Sequence, residues 1–209
     1  PFAFTTIKSQ DKEAEKVEAA SKVLTDFTKM KEKIPQQLLQ ITQGIIVIPK
    51  LLNAGFVVGG KRGKGIAVVK REDGTWSDPA FITLTGGSIG FQVGVQSIDL
   101  VLVFKNRETL EKIGRGSFTL GGDASITAGP VGRNSSASTD YKLEAEVYSY
   151  SRSKGLFAGI SLSGSALDVD SKANEAFYGG ETDAATIFSN SAKKTPEAVA
   201  KLKATLESL

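Results

Sequence analysis

Residues 55–71, GFVVGGKRGKGIAVVKR, decide how the rest of the chain is read. Two apolar, strand-like runs flank a segment made almost wholly of glycine and cations. Gly59, Gly60, Gly63 and Gly65 permit positive φ and close backbone approach, so the stretch reads as a β-hairpin whose tight tip projects Lys61, Arg62 and Lys64. Between residues 34 and 71 stand Lys50, Lys61, Arg62, Lys64, Lys70 and Arg71, without one Asp or Glu. Bare amide donors beside positive charge suit phosphate groups; the alternative is a solvated tip made basic for solubility. The segment is not a nucleotide loop, because that loop needs its glycine, lysine and Ser/Thr in fixed order at a helix start, and here the β-like run Ile66 to Val69 follows.

Working outward toward the N-terminus, Ile45 to Ile48 reads as a strand broken by Pro49, with a short helix before it that opens at Pro35 and stops at Gly44. From Ser9 to Lys33 the apolar residues Val17, Ala20, Leu24 and Phe27 recur at three and four positions, the period of an amphipathic helix. With Lys8 just before it, seven lysines nearly balance six acids, so the apolar face is expected to pack on the domain.

In the other direction, Asp73-Gly74 signals a tight turn, and Phe81 to Leu84 a strand. After Gly86-Gly87, the apolar residues Ile89, Phe91, Val93 and Val95 alternate with Gly90, Gln92, Gly94 and Gln96, so one strand face is apolar and the other glycine and amide. That second face would admit a close backbone or a ligand. Leu100 to Phe104 is a further strand, and Asn106 caps a short helix ending at Gly114. Strand-like segments recur at Ser125 to Ala128, Leu143 to Tyr150 and Leu156 to Ser163. Helices are expected from Asp170 or Ser171 towards Tyr178, from Glu181 to Ser189, and after Thr195-Pro196-Glu197, where Val199, Leu202, Leu206 and Leu209 form a stripe. The whole reads as one α+β domain over residues 1–209: an antiparallel glycine-rich sheet or barrel with N-terminal and C-terminal helices packed on it.

Composition narrows the chemistry. The 209 residues contain neither Cys nor His, which removes thiolate and imidazole metal ligands, cysteine nucleophiles and the commonest general base. No catalytic residue, metal or cofactor is expected. Asp99 and Asp123 are the one conceivable carboxylate pair, but a structural role is expected for each, as for Trp76 and Phe81. A net charge of +3 and the lack of aromatics interleaved with the cations argue against nucleic acid as a partner. No apolar run approaches the roughly 20 residues that span a bilayer. The chain opens on Pro1, and a processed or removed segment is expected to precede it.

Taken together, GIIVIPK with GFVVGGKRGKG at 44–65, DGTWSDPAFI at 73–82 and GGSIGFQVGVQSIDLVLVF at 86–104 resemble the SYLF, or Ysc84-type, domain family. FTLGGDASITAGPVGRN at 118–134, YSYSRSKGLFAGISLSG at 148–164 and NEAFYGG at 174–180 complete the resemblance. It covers about residues 10–180 and leaves 181–209 as a C-terminal helical extension. It implies a non-enzymatic peripheral module that binds anionic phospholipid surfaces, with actin binding in some fungal members. The lipid role falls on Lys61, Arg62 and Lys64, with Lys50, Arg133, Arg152 and Lys154 extending the basic surface and Asn134 beside it. It transfers more weakly to Lys8, Lys12, Lys16 and Lys22. No SH3 domain or zinc finger accompanies the motifs, so the resemblance implies a stand-alone bacterial form, exported to the periplasm or anchored as a lipoprotein. The other reading is a protein-interaction module with no lipid role.

Overall fold

The computed structural model describes residues 2–30, 33–129, 143–180, 183–189 and 196–209, with side chains described beyond residue 9 and outside 56–57 and 88–93. The first helix, α1 (Phe2–Thr28), is followed by α2 (Gln36–Ile41) and two long strands, β1 (Gly44–Val69) and β2 (Ala80–Phe104). Then come α3 (Arg107–Glu111), a 3₁₀ turn at Lys112–Arg115, and the short strands β3 (Phe118–Thr119) and β4 (Ile126–Ala128). The chain closes with β5 (Val147–Ser153), β6 (Leu156–Phe157), β7 (Ala166–Val169), α4 (Ser171–Tyr178), α5 (Ala184–Ser189) and α6 (Glu197–Glu207).

The strands form one sheet in the order β3-β7-β2-β5-β4, with β1 paired to β2 and β6 to β5. Only the β4–β5 pairing among these is parallel. β1 and β2 run antiparallel from Gly44↔Phe104 to Ala67↔Ala80, with register shifts between Ile48 and Leu51 and between Gly55 and Val57. The expected α+β domain with an antiparallel glycine-rich sheet and helices from both ends of the chain is therefore the observed one.

The expected hairpin with its turn at Gly59–Gly65 is not. Those residues lie within the continuous strand β1, and Pro49 and Lys50 form a bulge in it, with Lys50 at φ 53°. Instead β1 doubles back on itself. A Cβ placed on Gly59 would stand 2.0 Å from Ala54 O, one on Gly63 2.6 Å from Ile48 Cγ2, and one on Gly65 2.0 Å from Val47 O. At the open end Lys70 N donates to Gln43 O over 2.8 Å. As one member of each pair climbs in number the other falls, so the reversal is centred on Ala54–Gly59. The glycines serve close approach between the two halves of the strand, while β2 follows β1 around its outer side.

Alternation divides the sheet between two cores. Ile45, Val47, Ile66, Val68, Val101 and Val103 join Val17, Leu24 and Phe27 of α1 and Val199, Leu202 and Leu206 of α6. Ile46, Ile48, Ala67, Val69, Leu100 and Leu102 face the other way, onto Leu110, Ile113, Ile187 and Phe188. Because both faces are buried here, the runs GIIVI and LVLVF are continuously apolar rather than alternating. Trp76 and Phe81 are core residues, as expected. α1 ends at Thr28 rather than Lys33, and the expected strand at Leu156 to Ser163 shrinks to β6.

Candidate functional site

The cations predicted to act together are dispersed by the alternation of β1. Lys61 is directed to the face shared with Gly63 and Ala67. It is only 7% exposed, and its Nζ donates to Gly87 O (2.9 Å) and Ser161 O (2.5 Å). Burial pushes its pKa below the ordinary lysine value. Lys61 is thus a tie between β1 and the segment after β6, not a projecting tip residue.

Lys64 lies on the opposite, α1-bearing face and pairs with Asp170 at 2.6 Å. Asp170 also accepts from Ala173 N, capping α4. Burial raises the pKa of Asp170, but the hydrogen bonds from Lys64 and the Ala173 amide outweigh it and hold the carboxyl below its usual range. Arg62, also on the α1 face, is exposed and has no ion-pair or hydrogen-bond partner among the described residues. Lys50 is exposed, and its backbone amide donates to Asp99 Oδ1 over 3.1 Å.

Arg152 belongs to a separate, neutralised cluster. Its guanidinium reaches Asp99 Oδ2 at 2.8 Å and Asp26 Oδ2 at 2.7 Å, and lies over the Phe27 ring. Burial works against its charge, yet the bonds it donates to Asp26 and Asp99 leave its pKa raised. Asp26 is held low, first by Lys22 at 2.8 Å and then by Arg152. This cluster pins the end of α1 onto β2 and β5. Lys154 is exposed in the β5–β6 turn, at φ 51°. Arg133 and Asn134 lie outside the described residues. On α1, Lys16 pairs with Glu13 and Lys22 with Asp26, while Lys12 is exposed; the side chain of Lys8 lies outside the described set.

Asp99 is therefore a structural acid and Asp123 a turn acid, accepting from Thr119 N over 2.6 Å. Among the described residues no group of three acidic side chains could hold a metal ion, and no helix is long and apolar enough to cross a membrane.

One feature escaped the sequence reading. Leu51 joins Ile48 in the second core, so Leu52 points to the α1 face; Val95, opposite Ala54, shares that face. Val58 falls on the same side by alternation from Ile66. Leu52, Val58 and Val95 are 52%, 74% and 70% exposed. The distal end of the folded ribbon thus carries aliphatic side chains beyond the helical layer, beside Arg62 and Lys50. The sequence signal was present: neither Asp nor Glu occurs at 34–71 or at 79–98, so acids are excluded from both strands at this end.

The chain is similar to known proteins. The family model Ysc84, described as Las17-binding protein actin regulator, matches residues 85–209. LAS seventeen-binding protein 3 of Saccharomyces cerevisiae is 36% identical over 194 residues, covering 91% of this chain and 42% of the relative. Protein YSC84 of the same yeast is 36% identical over 202 residues, covering 92% and 42%. The human SH3 domain-containing YSC84-like protein 1 is 34% identical over 166 residues, covering 76% and 48%. The chain thus spans less than half the length of these relatives.

Proposed function

Because the chain belongs to the Ysc84 family, we propose that it is a non-catalytic protein-interaction module of an actin-regulating system. The observation that carries this reading is the match to LAS seventeen-binding protein 3 over 91% of the chain. The geometry is compatible with it: aliphatic side chains stand uncovered at one end of the sheet, and exposed aliphatic patches beside polar groups mark interaction surfaces. The deciding test is co-sedimentation with actin filaments together with capture on immobilised Las17. Saturable retention by at least one is expected, and retention by neither overturns the reading.

A second reading, attachment to anionic phospholipid, is favoured by Lys50, Arg62 and Lys154, which are exposed and carry no carboxylate pairing in the described residues. Each cation near an anionic surface contributes about 1 kcal/mol, so the expected attachment is weak and salt-sensitive. Sedimentation with phosphatidylserine vesicles at low and high salt tests it. Equal pelleting with neutral phosphatidylcholine vesicles would exclude the electrostatic mechanism.

A further inference from the structure

We infer that the α1 face of the β1–β2 ribbon, beyond the helices, seats an acidic amphipathic helix of a protein partner; this rests on the protein-interaction reading above. The face is continuous with a helix-covered one. Val47, Ile66 and Val68 lie under α1, and the same alternation carries outward through Lys64 and Arg62 to Val58, with Leu52 and Val95 on the neighbouring strands. A strand rises about 3.3 Å per residue, so Val58 lies roughly 26 Å along the strand from Ile66. A helix with its side chains is about 10 Å across, which leaves room for one more helix beside α1 on the same sheet. Sheets complete a core by receiving such a layer.

Charge selects the occupant. Among the cations at this end, Lys61 is turned to the other face and Lys64 is held by Asp170, while the side chains of Arg62 and Lys50 carry no carboxylate pairing among the described residues. β1 carries no acid, and β2 none before Asp99, whose carboxylate accepts from the Lys50 amide and is paired with Arg152. Two free cations around exposed aliphatics match a helix with a leucine stripe and flanking carboxylates. They give an anionic bilayer only a weak hold, and like charge opposes joining two copies through this face.

The test uses the whole chain and a synthetic amphipathic peptide with a leucine face flanked by glutamates, followed by fluorescence anisotropy. A counterpart with lysines replacing the glutamates is the control. Saturable binding of the acidic peptide alone is expected, weakened about tenfold by Arg62→Glu and by at least as much in Val58→Asp. Both positions are exposed, and an unchanged circular dichroism melt confirms folding; if Val58→Asp melts early, Arg62→Glu carries the result. Equal affinity for both peptides, or no loss in either variant, overturns the inference. So does variant-sensitive pelleting with phosphatidylserine vesicles without peptide binding, which assigns the face to a bilayer, or concentration-dependent dimerisation abolished by Val58→Asp, which assigns it to a second copy. Sedimentation of wild type and Val58→Asp with actin filaments separates the two levels. Equal pelleting refutes this surface but keeps the interaction reading; peptide binding without wild-type retention by actin or Las17 does the reverse.

Discussion

Changing Gly65 to alanine sets the close-approach role of the β1 glycines against a turn role. The added methyl would stand 2.0 Å from Val47 O and 2.9 Å from Ile48 Cα, whereas a carbon normally approaches a carbonyl oxygen no closer than about 3.3 Å. Both obstacles are backbone, in the middle of a paired strand, so no side chain can swing aside. The two halves of β1 must separate by about 1 Å, at a cost of roughly 3 kcal/mol. Gly60, five positions earlier in the same motif, is the internal control. Its Cβ would meet nothing nearer than Gly86 O at 3.7 Å, and alanine there stabilises by about 0.5 kcal/mol through the unfolded state. At about 2–4 °C per kcal/mol for a chain of this size, Gly65→Ala is expected to melt about 6–12 °C below wild type and Gly60→Ala about 1–2 °C above it. Thermal melts and urea denaturation followed by circular dichroism read both. A Gly65→Ala protein within about 1 kcal/mol of wild type, or a Gly60→Ala protein equally damaged, would refute the doubled-strand argument.

Three further outcomes follow from the charged groups. Arg152→Ala leaves Asp26 and Asp99 without their shared cation, although Lys22 and the Lys50 amide remain; urea denaturation should show a loss of about 2–3 kcal/mol, and less than about 0.5 would mean the cluster does not anchor α1. Asp26 and Asp170 titrate below the ordinary carboxylate value in the folded state, so their contribution is complete above about pH 4 and is lost as pH falls through their lowered values; an acid titration of Asp26→Asn should be flatter, and an unchanged one would argue against the coupling. Lys61→Ala strips a donor from Gly87 O and Ser161 O, with an expected cost of about 2 kcal/mol. Because burial lowers the folded pKa of Lys61, the unfolded chain keeps that proton longer, and wild type should gain stability relative to Lys61→Met as pH rises toward about 10.4.

The first helix was legible because its period is local, and Asp170 as the cap of α4 because capping spans three residues. The glycines of β1 were legible as special but not in kind. A turn and a close approach place the same demand on a residue, and what distinguishes them at Gly65 is Val47, which sequence spacing does not identify. With 59–65 in a strand, alternation alone turns Lys61 inward and Arg62 outward. The Arg152–Asp26 pair joins residues 126 positions apart, and nothing local in either segment announces it. Val95 belongs to the expected apolar strand face with Ile89, Phe91 and Val93, whose side chains lie outside the described set. Periodicity reports which residues share a face but not how far a covering helix extends over it.

The sharing of one apolar cluster by α1 and α6 also constrains how the chain reaches its fold. Val17 emerges early in synthesis and Leu202 almost last, yet both belong to the same buried set. The β1–β2 ribbon can pair once Phe104 is made, but it then has helical cover only from α1 on one face, while the other waits for Ile187 and Phe188. The nascent ribbon therefore carries sticky aliphatic surface until the last helices arrive, and contacts of such long sequence separation form slowly. A chain cut after residue 180 would be held in that state: the sheet made, both of its faces partly open, and self-association the expected fate.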